Sequence, residues 1–278
     1  QLERQGWQVT SLPVNEQGQV DPRELQAAIR PDTRLVSVIY GQSEVGTLQP
    51  IQALAAITRQ HGVLFHTDAV QVAGWLPLDV TALGVDLLSL SSHKLYGPKG
   101  VGALYVRPGV SLDPLLAGGG QEAGRRSGTE AVPNVVGFGV AAALAMEELE
   151  TEARRLRGLR DRLFEQLAMV WSLQVTGDRQ HRLPHHVSFL VDLDDSQGKP
   201  VTGKALVRQL NLAGIAISSG SACHSGKLTP SPVLLAMGYP ERLARAGIRL
   251  TLGRDTTEAD IDWTALVLKQ FLTGNLPL

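Results

Sequence analysis

The stretch VDLLSLSSHKLYGPKGVGALYVR, residues 85–107, joins two β-rich runs through a short polar turn. Its first part, VDLLSLS, is almost continuously apolar, which is typical of a strand in a buried parallel sheet. Lys94 follows this strand closely and stands just before a Gly-Pro pair. A lysine in this place is either a solvated loop residue, which is the commoner case, or the amine that forms a Schiff base with an aldehyde cofactor. Lys94 is therefore a candidate functional residue.

Similar β-rich runs alternate with helical patterns on the N-terminal side of this stretch. The runs are QVTSLPV (8–14), TRLVSVIY (33–40) and VLFHTD (63–68). The helical patterns DPRELQAAIR (21–30) and PIQALAAITRQHG (50–62) both have a proline at the start, where helices accept it. Strand and helix alternation with nearly continuous apolar strands predicts a mostly parallel sheet covered by helices on both faces.

The second half of the chain has a different pattern. A glycine-rich loop, AGGGQEAGRRSGT (117–129), precedes a helix predicted over residues 132–168. Residues 170–272 then resemble a smaller α+β unit, with strands near SLQVTG, HHVSFLVD, IAISS and GIRLTLG. We predict that residues 1–160 are part of a large domain and that residues 161–278 form a small C-terminal α+β domain.

Composition excludes several classes of function. The 278 residues are 43% hydrophobic with a formal net charge of −1, so no basic surface for nucleic acid is indicated. The five arginines of residues 152–167 are interpreted as a solvated helix face, and a nucleic-acid site there is the minor alternative. A single cysteine excludes an internal disulfide and favours a reducing compartment. No uninterrupted apolar run of membrane-spanning length occurs, and the N-terminus resembles neither a signal nor a transit peptide.

A carboxylate and an amide stand at the end of the strand before Lys94. In FHTDAVQ (65–71), Asp68 closes the apolar run and Gln71 follows three residues later. Pyridoxal 5′-phosphate requires a carboxylate for its pyridine nitrogen and a donor for its phenolic oxygen. Asp68 could equally be a turn or N-cap residue. Asp68 and Lys94 at the ends of successive strands would meet at one sheet edge, where ligands of open α/β sheets bind.

The only cysteine, Cys223, lies in SSGSACHSG (218–226) among Ser, Gly and Ala. A structural cysteine is normally buried among larger apolar residues. Small, flexible neighbours instead suit a thiol that must be reached or must move. Cys223 is therefore a second candidate functional residue.

Taken in order, six motifs resemble those of one enzyme family along nearly the whole chain. They are EVGTLQPI (44–51), FHTDAVQ (65–71), VDLLSLSSHKLYGPKGVGALYVR (85–107), GGGQEAGRRSGT (118–129), SSGSACHSG (218–226) and IRLTLGRDTTEADID (248–262). The chain resembles cysteine desulfurases of the NifS/IscS type, in the class V aminotransferase group. The resemblance implies an α/β fold of the PLP-dependent transferase type (fold type I), with a large domain built on a mostly parallel sheet and a smaller C-terminal α+β domain.

The resemblance also implies roles for individual residues toward pyridoxal 5′-phosphate. Lys94 would form the Schiff base, Asp68 would pair with the pyridine nitrogen, and Gln71 would contact the phenolic oxygen. Ser91 and His93 would bind the phosphate. Thr129 would reach the phosphate of the partner subunit's cofactor, which implies a homodimer with shared sites.

The implied reaction converts L-cysteine to L-alanine and leaves the sulfur as a persulfide on Cys223. Arg249 would bind the substrate carboxylate, although an arginine on a strand is more often a surface ion-pair partner. The sulfur would pass to an acceptor or iron–sulfur scaffold protein in the cytoplasm, for iron–sulfur cluster or thio-cofactor synthesis. No metal, nucleic acid or membrane is expected.

Two departures from the family pattern keep alternatives open. The family's opening segment, with a phosphate-binding turn and a histidine that stacks on the cofactor ring, has no match in this sequence. Gln42-Ser43 also stands where the family usually has Asn-Asn, and Ser43 is expected to reach the phenolic oxygen less well. The alternatives are a cystine or selenocysteine lyase on the same fold, and a truncated, non-catalytic partner subunit of a desulfurase.

Overall fold

The computed structural model describes residues 1–194, 197–220 and 229–274. The chain forms two compact units. The sheet unit comprises residues 29–40 and 51–150, and the terminal unit comprises residues 1–28, 41–50 and 151–278. The predicted division into two contiguous domains near residue 160 stays a prediction, because compactness alone does not define domains that fold separately.

The sheet unit is built on four strands in the order β1-β2-β3-β4. The strands are β1 (Leu35–Ile39), β2 (Leu64–Asp68), β3 (Leu87–Ser91) and β4 (Gly102–Val106). The first three are parallel, and β4 is antiparallel to β3. The strands predicted near residues 33–40, 63–68, 85–91 and 102–107 are confirmed, as is the mostly parallel sheet.

One face of this sheet holds the core. Val36, Val38, Phe65 and Leu88 are buried on it. Helix α2 (Ile51–Gln60) packs against β2, and the short helix α3 (Val80–Leu83) packs against α2. Period-2 alternation along each strand sends the intervening side chains to the other face.

The other face of the sheet is more open. Leu35 and Leu104 are about half exposed, and Leu64 and His66 are half-buried. Leu87 of the same face is 6% exposed, so part of this face is covered, and the cover of both faces by helices stays a prediction. An apolar strand pattern shows which side chains can be buried, and it does not show what covers them.

Helix α4 (Val132–Leu167) confirms the long helix predicted over 132–168. Its first part packs in the sheet unit through Phe138 and Ala141, together with Leu90 and Leu95. Six large apolar side chains of the same part are exposed: Val132, Val135, Val136, Val140, Leu144 and Met146.

An 18-residue window of helix α4 has mean hydropathy 1.3 and is 11% buried, so by length and composition the helix could cross a membrane. No uninterrupted apolar run of this length occurs in the sequence because charged residues, such as Glu147 and Glu148, lie within the helix. One such helix is weak evidence for a membrane span, because the core helix of a soluble protein meets the same criteria.

The terminal unit contains a smaller antiparallel sheet in the order β5-β6-β7. Its strands are β5 (Leu173–Val175), β6 (His186–Val191) and β7 (Gly247–Thr251). The helices are α1 (Pro22–Ala28), α5 (Gly203–Leu212), α6 (Pro232–Ala236), α7 (Glu241–Ala244) and α8 (Glu258–Leu272). Every residue of the central strand β6 is buried, so the core of this unit lies around β6.

Two strand predictions are wrong for segments that lie in the terminal unit. Residues 8–14 form no strand, and Val9 is 52% exposed. Residues 215–219 form only a single bridge, from Ser218 to Arg249. Both segments have strand-like composition, but a strand also needs a neighbouring backbone to pair with along its length.

Candidate functional site

Asp68 lies at the carboxyl end of β2, directly opposite Ser89 of β3. Its carboxylate oxygen Oδ1 accepts a hydrogen bond of 3.0 Å from the backbone N–H of Val70. Within the described residues, Oδ2 accepts none. The backbone here is fixed on both sides, because Tyr40 N–H donates to the Asp68 carbonyl and Ala69 N–H donates to the Ser89 carbonyl. One carboxylate oxygen is thus held in place with its lone pairs available to a ligand.

Lys94 lies on a 3₁₀ turn, Ser92–Leu95, that begins where β3 ends. Leu95 anchors the turn because it is buried in the core cluster with Phe138. Tyr96 ends the turn in the left-handed conformation, at φ 62°, which is unusual for a residue other than glycine. Lys94 itself is exposed. The turn therefore has a fixed base and presents the amine to solvent, at the same end of the sheet as Asp68.

The other residues that the resemblance assigns to the cofactor lie in three places. Ser91 Oγ and His93 Nδ1 are hydrogen bonded at 2.8 Å, next to Lys94. Gln71 is half-buried just beyond β2, and its side chain has no hydrogen bond to another described residue. Thr129 is exposed in the glycine-rich loop. The sheet unit thus brings Asp68, Ser91, His93 and Lys94 to the ends of two adjacent parallel strands.

His66 is a residue of this region that the sequence interpretation missed. Its Nδ1 lies 2.8 Å from Ser37 Oγ and its Nε2 lies 2.8 Å from Ser89 Oγ, so it links three adjacent strands. Burial lowers the pKa of His66, and the nearby Asp68 carboxylate opposes that shift. The strand alternation could have revealed it, because residues two apart on a strand share a face.

Arg249 lies on β7 in the terminal unit, opposite Ser188. Its Nη1 donates a 2.8 Å hydrogen bond to the backbone carbonyl of Ser43. Its backbone exchanges hydrogen bonds of 2.7 and 3.0 Å with Ser218. Burial lowers the pKa of the Arg249 guanidinium, and the carboxylate of Glu44 opposes that shift.

The Gln42-Ser43 pair has a structural role that the sequence interpretation did not anticipate. Gln42 Oε1 accepts hydrogen bonds from the backbone N–H groups of Glu44 and Val45, so this side chain organises the turn. Ser43 contributes its backbone carbonyl oxygen, which accepts the hydrogen bond from Arg249 and lies 3.1 Å from His186 Nε2.

Cys223, the predicted sulfur acceptor, lies outside the described residues.

Within residues 1–194, 197–220 and 229–274, no group of three or more His, Cys, Asp or Glu side chains could hold a metal ion.

Comparison with known families identifies the chain. The aminotransferase class-V model matches residues 1–263. The chain belongs to the aminotransferase class-V family. This confirms the resemblance drawn from the six motifs.

Two curated relatives of this class-V chain are cysteine desulfurases. The IscS protein of Dictyoglomus turgidum is 43% identical over 98% of this chain and 67% of its own length. A mitochondrial cysteine desulfurase of Eremothecium gossypii is 48% identical over 94% of this chain and 52% of its own length. The chain thus spans between about half and two thirds of the relatives that it matches. Because these relatives are bacterial and mitochondrial, they do not determine the compartment.

Two solved structures share the fold. A NifS-like protein superimposes with a TM-score of 0.87 at 35% identity, covering 98% of this chain and 70% of that one. SspA in complex with cysteine superimposes with a TM-score of 0.74 at 35% identity, covering 90% of this chain and 68% of that one. The predicted α/β fold of PLP-dependent transferases is therefore confirmed, and pyridoxal 5′-phosphate is the cofactor of this family.

The residues at the sheet edge fit this cofactor by their chemistry. It presents an aldehyde, a pyridine nitrogen and a phosphate. The chain offers an exposed amine at Lys94, a carboxylate oxygen of Asp68 with no partner in the described residues, and the Ser91–His93 pair. An amine, an acid and hydroxyl or imidazole donors are the groups that these three functions require.

Proposed function

We propose that this chain carries the site of a PLP-dependent cysteine desulfurase, which converts L-cysteine to L-alanine and collects the sulfur as a persulfide on Cys223. The observation that carries the proposal is the placement of Asp68 and Lys94 at the carboxyl ends of the adjacent parallel strands β2 and β3. Support for the substrate comes from the cysteine desulfurase relatives and from SspA, a structural neighbour in complex with cysteine.

In the proposed site, Lys94 would hold the cofactor aldehyde, Asp68 the pyridine nitrogen and Gln71 the phenolic oxygen. Ser91 and His93 would hold the phosphate. Bound pyridoxal 5′-phosphate supplies one kind of chemistry, the withdrawal of electrons from Cα of an amino acid. The Asp68 carboxylate favours a protonated pyridine nitrogen, because an adjacent negative charge stabilises the positive one.

Lys94 and Arg249 have separate tasks in the proposed reaction. The Arg249 guanidinium binds the carboxylate of L-cysteine, since its planar fork matches the two carboxylate oxygens. Lys94 Nζ, as a free amine, accepts the Cα proton and can later return one.

Cys223 receives the sulfur. Its thiolate attacks the substrate Sγ, so that an S–S bond forms, the Cβ–Sγ bond breaks and the electron pair goes to Cβ. Protonation of Cβ then gives L-alanine. The sum is one cysteine plus one enzyme thiol giving one alanine plus one enzyme persulfide, so no external oxidant or reductant is needed.

We also propose the biological setting implied by the resemblance. The resemblance implies that Thr129, which is exposed on the glycine-rich loop, reaches the cofactor phosphate of a second subunit, and this favours a homodimer with shared sites. The persulfide would pass to a sulfur-acceptor or iron–sulfur scaffold protein. A cytoplasmic location suits a chain with one cysteine, because a reducing compartment keeps a thiol reduced and free of disulfides.

The deciding experiment incubates the purified protein, supplied with pyridoxal 5′-phosphate, with L-cysteine. Alanine should form, and one sulfur atom should be found by mass spectrometry on the Cys223 peptide and be lost on reduction. Protein that neither takes up the cofactor nor forms alanine would overturn the enzyme proposal in favour of a non-catalytic partner subunit. Alanine formation without sulfur on Cys223 would favour a lyase.

A further inference from the structure

Among the titratable residues close to Arg249, His186 is the most deeply buried. It begins β6 and is 1% exposed. Its Nε2 lies 3.1 Å from the backbone carbonyl of Ser43. Because a carbonyl oxygen only accepts hydrogen bonds, Nε2 must carry the proton and donate it. The roles proposed above give His186 no task.

The same carbonyl oxygen binds Arg249. Arg249 Nη1 donates to Ser43 O at 2.8 Å, so the two lone pairs of this oxygen are both used. This is the one hydrogen bond that the Arg249 guanidinium makes within the described residues, and Arg249 Nε is buried without a partner there. The position of Ser43 O therefore sets the orientation of the guanidinium.

That orientation leaves a particular edge of Arg249 available. With Nη1 occupied, the side edge formed by Nε and Nη2 is left for a ligand. The chain shows this edge binding a carboxylate elsewhere: Arg162 Nε and Nη2 each lie 2.8 Å from one carboxylate oxygen of Asp262. A buried, unpartnered donor on a guanidinium is costly unless a ligand satisfies it.

The imidazole of His186 is held in one state. A Cβ on Gly46 would lie 2.6 Å from His186 Nδ1, so the ring packs directly against the glycine backbone. Nδ1 is buried and has no partner within the described ranges. Burial, Arg182, His185 and Arg249 all lower the pKa of His186, and only the Ser43 carbonyl opposes them. The ring is therefore neutral, with its proton on Nε2.

We propose that His186 is a positioning residue for Arg249, acting through the shared carbonyl oxygen of Ser43. It fixes this oxygen from one side, so that Arg249 binds it from the other and presents Nε and Nη2 to the substrate carboxylate. The inference rests on the proposed function only in the identity of that carboxylate, which belongs to an amino acid.

The test compares two amides that differ in reach. In His186→Gln the side-chain amide can extend to the place of Nε2 and donate to Ser43, whereas in His186→Asn it ends near Nδ1. His181→Gln is the control, because His181 is an exposed histidine of the same unit. The ligand is L-alanine, which has the amino and carboxylate groups of cysteine without the sulfur. Its dissociation constant is measured by calorimetry on the cofactor-loaded protein, and thermal unfolding confirms that each variant is folded.

His186→Asn should weaken L-alanine binding and raise KM for L-cysteine, each by about tenfold, because the hydrogen bond that fixes the Ser43 carbonyl beside Arg249 is lost. The value of kcat should change less than about threefold. His186→Gln and His181→Gln should stay within about threefold of the unsubstituted protein. In an Arg249→Lys background, His186→Asn should add less than about twofold, because two residues that act as one unit are not additive. A tenfold loss that persists in that background would overturn the proposal.

A measurement independent of activity completes the test. Histidine ¹⁵N NMR should show an imidazole that stays neutral, with its proton on Nε2, when exposed histidines become doubly protonated below pH 6, and this signal should be absent in both His186 variants. A doubly protonated His186 at pH 7 would contradict the proposal. If the unsubstituted protein forms no alanine but its L-alanine affinity depends on His186 as expected, the proposed function fails and this inference stands. If it forms alanine but His186→Asn leaves KM and L-alanine affinity unchanged, this inference alone fails.

Discussion

Asp68 and Ser89 face each other across the parallel strands β2 and β3, and Lys94 follows Ser89 by five residues on the turn that ends β3. This register brings an acid and an amine to one end of the sheet. The lateral contact from His66 Nε2 to Ser89 Oγ, at 2.8 Å, supports the same register. A shift of one residue would send Asp68 to the opposite face, because side chains alternate along a strand.

The first prediction concerns cofactor attachment. Lys94→Ala should abolish the visible absorbance that appears when pyridoxal 5′-phosphate is added, because the amine that binds the aldehyde is gone. In the unsubstituted protein, borohydride should fix one cofactor on the Lys94 peptide. Lys99→Ala, at an exposed lysine near the same turn, is the control and should remain yellow. Cofactor fixed on another lysine would contradict the assignment.

The second prediction concerns the acid at the end of β2. Asp68→Ala should leave the fold intact and lower alanine formation on the order of a hundredfold, because the pyridine nitrogen loses its countercharge. Asp113→Asn removes an exposed carboxylate of the same unit and should have no effect. Steady-state rates and far-UV circular dichroism measure both quantities. Unchanged turnover in Asp68→Ala would show that Asp68 is only a turn residue.

The sheet unit could be predicted from the sequence because its information is local. Apolar runs such as LLSLS of β3 and the proline at the start of α2 each specify one element, and strand alternation with helices then specifies the parallel order. The segment at residues 8–14 shows the limit of this approach. It has strand-like composition, but pairing depends on a distant backbone that local pattern does not report.

In the candidate site, too, local sequence pattern predicts some residues and not others. Asp68 and Lys94 could be found because each follows an apolar strand, and strand ends meet at one sheet edge. The roles of His186 and Gln42 could not be found in this way. His186 donates to the backbone carbonyl of Ser43, which is far from it in sequence. Gln42 accepts from backbone N–H groups of a turn, which depends on the backbone geometry. No residue-type pattern marks a backbone carbonyl as an acceptor.

The third prediction tests the close contact between Gly46 and His186. Gly46 has φ +79°, and a Cβ there would lie 2.6 Å from His186 Nδ1. Gly46→Ala should destabilise the protein by about 3 kcal/mol, from left-handed strain plus overpacking. Gly214→Ala is the matched control, since Gly214 has φ +78° with nothing within 4 Å, and it should cost about 1–2 kcal/mol. Equal losses in urea unfolding would show that the His186 contact is unimportant.

The fourth prediction is a pH dependence of stability. His186 has a pKa well below its usual 6.5 in the folded protein, because of burial and the charges of Arg182 and Arg249. Below pH 6.5 the unfolded chain therefore binds a proton that the folded chain does not, and stability falls as the pH falls. This single group contributes a loss of up to about 1.4 kcal/mol per pH unit.

Urea unfolding between pH 5 and 8 measures this slope. His186→Gln should reduce the loss on acidification, since glutamine does not titrate, whereas the exposed His181→Gln should leave the slope unchanged. An identical slope in the His186 variant and the unsubstituted protein would show that His186 is already protonated in the fold.

The last prediction concerns Cys223 and separates sulfur transfer from the preceding steps. Cys223→Ser should still bind pyridoxal 5′-phosphate and L-cysteine, because Lys94, Asp68 and Arg249 carry those interactions in the proposed site. It should release almost no alanine. A thiol has a reference pKa of about 8.5, so a few per cent of it is the reactive thiolate at neutral pH, whereas a serine hydroxyl stays protonated and cannot accept sulfur as a persulfide. Spectral changes on adding cysteine should therefore persist while turnover disappears. Alanine formation that continues in Cys223→Ser would assign the reaction to a lyase that releases sulfur directly, and SSGSACHSG would then have no part in sulfur transfer.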